Sequence, residues 1–197
     1  MSEHGEGAPW PGAAGQSAAR LIRPPELILM VGLAGAGKST RAAELAASLP
    51  AVRLSPDEWM RPLFGDPDPD GQRPVLEGRL IATALEILRA GTSVILDFGL
   101  WRKQERVALS WLAARVGAVA RTEYLPISRE MQAERIAERH RRSPETEWPV
   151  TQAELDEWRE MLDEPDSAEA VGDFGARAAE DWSGWIAEKW PTAFAET

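Results

Sequence analysis

The chain has 197 residues, 44% of them hydrophobic, which suffices for one domain with a real core; it has no apolar run near the ~18 residues of a membrane span. It has no cysteine, which excludes a disulfide framework, a Cys-ligated metal and a Cys nucleophile. A net charge of −10 disfavours a broad nucleic-acid surface, and with only two histidines, His4 and His140, a proton acceptor is expected to be a carboxylate.

Residues 1–24 are rich in Gly, Ala, Pro and Glu and are expected to form a disordered leader before a single domain over 25–197. Glu3 and Glu6 and the lack of an apolar stretch argue against a secretory signal, so the cytoplasm is the expected compartment. Leu27 to Val31 is a short apolar run of the kind a strand buried on both faces needs. It leads into Gly32-Leu33-Ala34-Gly35-Ala36-Gly37-Lys38-Ser39-Thr40, which satisfies the phosphate-loop pattern of Gly, four residues, Gly, Lys and Ser or Thr. Glycines let successive backbone N–H groups face one anion, the Lys ammonium reaches the β- and γ-phosphates, and the Ser hydroxyl ligates Mg²⁺. Arg41 to Leu49, rich in good helix formers and stopped by Pro50, supplies the helix whose positive end faces the phosphates. Strand, glycine loop and helix in that order define a nucleoside triphosphate site.

Ala51 to Leu54 reads as a second strand. Ser55-Pro56-Asp57-Glu58 reads as a helix start, with Ser55 as N-cap, Pro56 at the first position and Glu58 closing a capping box. Gly65 to Gly71 is an acidic, turn-rich loop. Leu76, Leu80, Ile81, Ala84, Ile87 and Leu88 keep helical spacing up to a stop at Gly91. Thr92 to Leu96 is a β-branched strand ending in Asp97, the position of a carboxylate that would hold Mg²⁺ beside Ser39. Trp101 to Val116 reads as helix, Ala118 to Leu125 as the fourth strand and Ser128 to Arg142 as a polar helix. Thr151 and Glu154 form a second capping-box signature, and Trp182, Trp185 and Ile186 mark one side of a last helix within a tail over about 168–197. No fifth strand is predicted. Alternating strands and helices imply a three-layer α/β/α fold with a parallel sheet, and Ser39, Asp57 and Asp97 all fall at or after strand ends, where ligands of such sheets bind.

Asp57 stands in the first turn of its helix, where an acidic residue is stabilising on its own account. At the end of the second strand it is equally placed to orient a hydroxyl nucleophile and take its proton. Arg61, four residues on, shares its helix face and either pairs with Asp57 or grips substrate. Arg135, Arg139 and Arg142 form a stripe on a helix whose following loop carries proline, the pattern of a mobile lid over about 129–150. Arg139 above all would neutralise phosphate charge on closure. Arg102, Lys103 and Arg106 open a helix, where cations oppose the dipole, and so hint at an anionic partner such as substrate.

Together, Gly32 to Thr40, Leu54 to Met60, Val94 to Gly99 and the Arg135/Arg139 helix resemble the small P-loop kinases. The nearest group is the kinase-like proteins labelled AAA-family ATPases, similar to polynucleotide 5′-kinase domains, chloramphenicol phosphotransferase and zeta toxins. The resemblance covers about residues 26–165. It implies Mg·ATP as cofactor and phosphorylation of a hydroxyl, with Asp57 as general base, Arg61 at the substrate site and Arg135 and Arg139 as lid arginines. The leading expectation is a kinase of a small-molecule hydroxyl. The alternatives are a nucleic-acid 5′-hydroxyl kinase and an ATP-binding switch that hydrolyses slowly.

Overall fold

The computed structural model describes residues 23–65, 69–144, 149–175 and 181–194. The expected leader over 1–24 therefore lies outside the described residues except for Arg23 and Pro24, as does part of the loop after Ser143.

Four parallel strands, β1 (Glu26–Val31), β2 (Ala51–Leu54), β3 (Ser93–Gly99) and β4 (Val119–Tyr124), form one sheet in the order β2-β3-β1-β4. The helices are α1 (Lys38–Ser48), α2 (Pro56–Phe64), α3 (Gln72–Arg89), α4 (Lys103–Arg115), α5 (Arg129–Arg142), α6 (Gln152–Met161), α7 (Ser167–Ala170) and α8 (Trp182–Lys189). The continuous apolar run of β1 is explained by burial on both faces. Leu27, Leu29 and Val31 join the larger core with α3, α4 and α8, while Ile28 and Met30 meet Ala42 and Leu45 of α1 on the other side. This alternation makes three layers, α/β/α.

The chain order reverses across β1, whose neighbours are β3 and β4, and β2 sits beyond β3. A crevice opens at such a switch point beyond the carboxyl ends of the strands. The loop after β1 and the end of β3 both reach it. β3 runs two residues past Asp97, and a register shift between Leu29 and Val31 sets an extra β3 residue against β1. Bulges of this kind re-aim side chains next to functional sites, and here the shift falls at Asp97 and Phe98.

Two helix starts differ from each other instructively. Thr151 and Glu154 form the expected box, with Thr151 N donating to Glu154 Oε2 at 2.7 Å and Glu154 N donating to Thr151 Oγ1 at 3.3 Å. At α2 the expected box is absent: Ser55 makes no side-chain cap, and Glu58 is drawn instead to Arg53 of β2. A charge-assisted pair with a guanidinium outcompetes a reciprocal cap.

No described helix is long and apolar enough to cross a membrane.

Candidate active site

The phosphate loop folds as its glycines allow. Gly32 has φ 149°, and a Cβ there would stand 2.7 Å from the Leu125 carbonyl oxygen, so no other residue fits this turn. Gly37, at φ 93°, is the N-cap of α1, and Lys38 opens the helix. The Lys38 ammonium donates to the Leu33 carbonyl at 3.0 Å, arching over the loop. Burial lowers its pKa below the usual lysine range; Asp97 and Asp57 partly offset this, and Arg139 and Arg73 reinforce it. The charges that act on Lys38 thus include the candidates Asp97, Asp57 and Arg139, with Arg73, which the sequence reading did not single out, as a fourth.

One cleft of about 710 Å³ gathers them. Its lining includes Ala34, Gly35, Gly37, Lys38, Ser39 and Thr40 of the loop and α1, the acidic Asp57 and Asp97, Arg73 of α3, and Arg135, Arg139 and Arg142 of α5. Phe98, Gly99 and Trp101 complete the β3 end. Arg135 already touches the loop, its Nη1 donating to the Gly35 carbonyl at 3.0 Å. Four cations in this lining come from arginines of α3 and α5, in a chain whose net charge is −10. This concentrates positive potential where phosphates would lie.

Asp97 is buried, and its Oδ2 accepts from Arg53 Nη2 at 2.8 Å. Burial opposes the charge of Arg53, but its hydrogen bonds to Asp97 and Glu58 raise its pKa above the usual arginine value. As a test of fit for Mg²⁺, the cleft offers the hydroxyls of Ser39 and Thr40 and one buried carboxylate, Asp97. Among the described residues no cluster of three or more His, Cys, Asp or Glu could hold a metal alone. That donor set suits Mg²⁺, which keeps waters and takes its other ligands from phosphates.

Two expected substrate arginines stand elsewhere. Arg61 is exposed on α2 and does not line the cleft. The guanidinium that holds Asp57 is Arg73 of α3, Nη1 to Oδ1 at 2.9 Å. Arg102 is also outside the cleft, 3.9 Å from Asp163. Its neighbours show why cations open α4. Arg106, fully buried, makes a two-pronged pair with Glu169 of α7 (Nε–Oε2 2.6 Å, Nη2–Oε1 3.1 Å), and Lys103 lies 3.4 Å from Asp166. The anionic partner hinted at by this cluster is the acidic segment over 163–169 of the same chain.

Sequence reasoning also passed over Trp101. Its indole Nε1 donates to the Gly32 carbonyl at 3.0 Å, tying the β3 end to the first glycine of the loop. The segment that carries it is strained, since Leu100 has φ 42°, and Arg106 Nη1 braces it by donating to the Leu100 and Trp101 carbonyls at 3.1 Å each. The only signal for this in sequence was an arginine amid the apolar residues of α4.

The chain belongs to the AAA domain family, whose profile matches residues 27–165, and its fold is that of the P-loop kinases. Among solved structures it is similar to a Chloroflexus aurantiacus protein assigned as a kinase (20% identity, 83% of this chain and 96% of that one, TM-score 0.59). It is similar also to Chaetomium thermophilum Kti12 in complex with ADP-AlF3 (18% identity, 86% and 100%, TM-score 0.54). A chain of the Pnkp1/Rnl/Hen1 RNA repair complex matches at 19% identity over 70% of this chain, TM-score 0.55. This chain spans only 44% of that RNA repair chain's length. At these identities the likeness is one of fold. No curated protein matches the chain.

Proposed function

We propose that the protein is a phosphotransferase that moves the γ-phosphoryl of ATP to a hydroxyl of a small molecule. One observation carries this reading: a carboxylate outside the phosphate loop, Asp57, shares a single cleft with Lys38, Ser39, Asp97 and Arg139. A nucleotide switch needs the loop and its metal ligands but has no use for a second, solvent-reached carboxylate facing them. In this reading residues Gly32 to Thr40, Ala34, Gly35, Ala36 and Gly37 among them, wrap the phosphates with backbone N–H groups. Lys38 and the α5 arginines Arg135 and Arg139 draw off charge as the phosphoryl moves. Ser39 and Asp97 would hold Mg²⁺, which when bound neutralises phosphate charge. Asp57, steadied by Arg73, orients the acceptor hydroxyl and receives its proton late in the transfer. Closure of α5 and its loop as a lid would exclude water from the transfer.

The test is ³¹P NMR of the protein with Mg·ATP and a panel of nucleosides, 5′-hydroxyl oligonucleotides, sugars, antibiotics and nucleotide-sugars. A new phosphomonoester signal that disappears in Asp57→Asn supports the reading and names the acceptor class. A signal only with oligonucleotides would move the acceptor to nucleic-acid ends. Transfer undiminished in Asp57→Asn would remove Asp57 from its role.

A further inference from the structure

The C-terminal segment is connected to the candidate base by three consecutive hydrogen bonds. Trp190, buried just beyond α8, donates its indole Nε1–H to Glu77 Oε2 at 3.0 Å. Glu77 Oε1 accepts from Arg73 Nε at 3.0 Å. Arg73 Nη1 then donates to Asp57 Oδ1 at 2.9 Å. Both oxygens of Glu77 are engaged, one by each neighbour, so the carboxylate is a fixed bridge rather than a surface partner.

The segment is seated firmly enough to act as an anchor. Gly78 approaches it so closely that a Cβ would stand 2.5 Å from Thr192 Oγ1 and 2.9 Å from the backbone nitrogens of Thr192 and Ala193. The Thr192 hydroxyl donates to the Val75 carbonyl, and Lys189 pairs with Glu105 of α4 at 2.9 Å. Trp185 meets both Trp182 and Trp190 edge-on, with ring centroids 5.8 and 5.7 Å apart. The Gly78 and Val75 contacts fall on α3 in the turn that follows Arg73, while the Lys189 pair ties the segment to α4 and the tryptophan contacts brace it internally. An arginine side chain loses much rotamer freedom when it is fixed, and a guanidinium held at Nε presents its Nη groups in a set plane. Glu77 supplies that hold, and Trp190 aims Glu77.

We propose that Glu77 and Trp190 are positioning residues that hold Arg73 against Asp57, so that the C-terminal segment sets the orientation of the candidate base. The consequence for catalysis rests on the phosphotransferase reading above; the anchoring of Arg73 does not. Orientation of a proton-accepting carboxylate matters because small misplacements of a reacting group are costly in rate.

The experiment uses the full chain with Glu77→Gln, which keeps shape, Trp190→Phe, which keeps the buried ring but removes its N–H, and Arg73→Lys. Three quantities are read: stoichiometry and Kd for Mg·MANT-ATP, steady-state turnover of Mg·ATP with water and with any acceptor from the panel, and solvent-exchange protection of the Arg73 Nε–H by ¹⁵N NMR. Arg73→Lys assigns that resonance by its loss. In Glu77→Gln and Trp190→Phe, nucleotide stoichiometry and Kd are expected to stay within about twofold of wild type, while kcat falls about tenfold at unchanged KM for ATP. The Nε–H protection is expected to fall in both, because an amide offers one acceptor where the carboxylate offers two, and because Glu77 without the Trp190 N–H is no longer aimed. Protection retained in both variants, or lowered with no change in kcat, overturns the proposal. A Trp190→Phe chain that binds no nucleotide leaves the isosteric Glu77→Gln to decide. A wild-type chain that transfers to no acceptor and not to water defeats the phosphotransferase reading, whereas the exchange measurement still rules on the anchor.

Discussion

Arg53 Nη2 lies 2.8 Å from Asp97 Oδ2, so the carboxylate that ends the apolar part of β3 already shares its charge with a cation from the adjacent strand β2. The pairing keeps a buried carboxylate from standing alone, and it competes with any metal for that carboxylate. Replacing Arg53 with Met is therefore expected to have two opposite effects. Stability falls by about 1–3 kcal/mol, because Asp97 is left buried and unpaired. The Mg²⁺ concentration that half-saturates MANT-ATP binding also falls, whereas in Asp97→Asn it rises. Denaturant titration and a Mg²⁺ titration check the two arms; a midpoint unmoved in both variants would remove Asp97 from the metal site.

Lys38 is held below the usual lysine range chiefly by burial. Its charge is thus a cost to the folded chain that binding recovers. Because the folded state binds this proton less readily than the unfolded state, the cost is greatest at neutral pH and shrinks as pH rises. Lys38→Met is expected to stabilise the nucleotide-free protein by roughly 0.5–1 kcal/mol at pH 7 while weakening Mg·ATP binding by at least about tenfold. In the wild type, affinity for Mg·MANT-ATP should decline with rising pH before the ordinary lysine range is reached, as the ammonium is lost. Thermal unfolding and fluorescence titration from pH 7 to about 10 read both effects.

Most of the fold was legible in the sequence because it is written in local signals. The five-residue apolar run before Gly32, the strand over Ala51–Leu54 and the Thr151–Glu154 cap each depend on neighbours in the chain. The phosphate loop was legible for the same reason: loop, strand and helix are contiguous. What eluded sequence reasoning is tertiary pairing among arginines. Nineteen arginines offer many possible partners for each carboxylate, and spacing alone favoured Arg61 for Asp57 and Ser55 for Glu58. The folded chain instead brings Arg73 to Asp57 across 16 positions and Arg53 to Asp97 across 44. A signal for Arg53 did exist, since a charged residue beside Leu54 in a short strand of a parallel sheet needs a buried partner. Arg73 and Glu77 were visible only as an ordinary i,i+4 pair.

The Arg106–Glu169 pair ties α7 to the strained turn that carries Trp101, with both side chains almost wholly inaccessible. Removing one partner leaves a buried charge, so Glu169→Gln is expected to cost about 3–5 kcal/mol. Removing both with apolar residues of similar volume, as in Arg106→Met with Glu169→Leu, should recover most of that loss. The double variant would still lack the guanidinium that holds the Leu100 and Trp101 carbonyls. It is therefore expected to regain stability over Glu169→Gln while its nucleotide affinity stays below that of wild type. A double-mutant cycle in urea, with MANT-ATP binding measured on each member, separates the two. Recovery of both together would mean that the pair serves stability alone.

Glu77 predicts a pH dependence of opposite sign to that of a surface carboxylate. Burial raises its pKa above the usual glutamate value, with Arg73 and the Trp190 N–H only partly opposing the shift. A carboxyl whose folded pKa lies above its unfolded one lends stability at low pH and loses it as pH rises through the folded value. Glu77→Gln cannot ionise, so its stability relative to wild type should improve as pH rises from about 4 to 7, whatever the offset from altered hydrogen bonds at a single pH. Urea midpoints of the two proteins across that range give the slope directly. A Glu77→Gln stability relative to wild type that stays constant or falls with rising pH would show that Arg73 and Trp190 balance or outweigh burial, and that Glu77 ionises in the folded chain at least as easily as in the unfolded one.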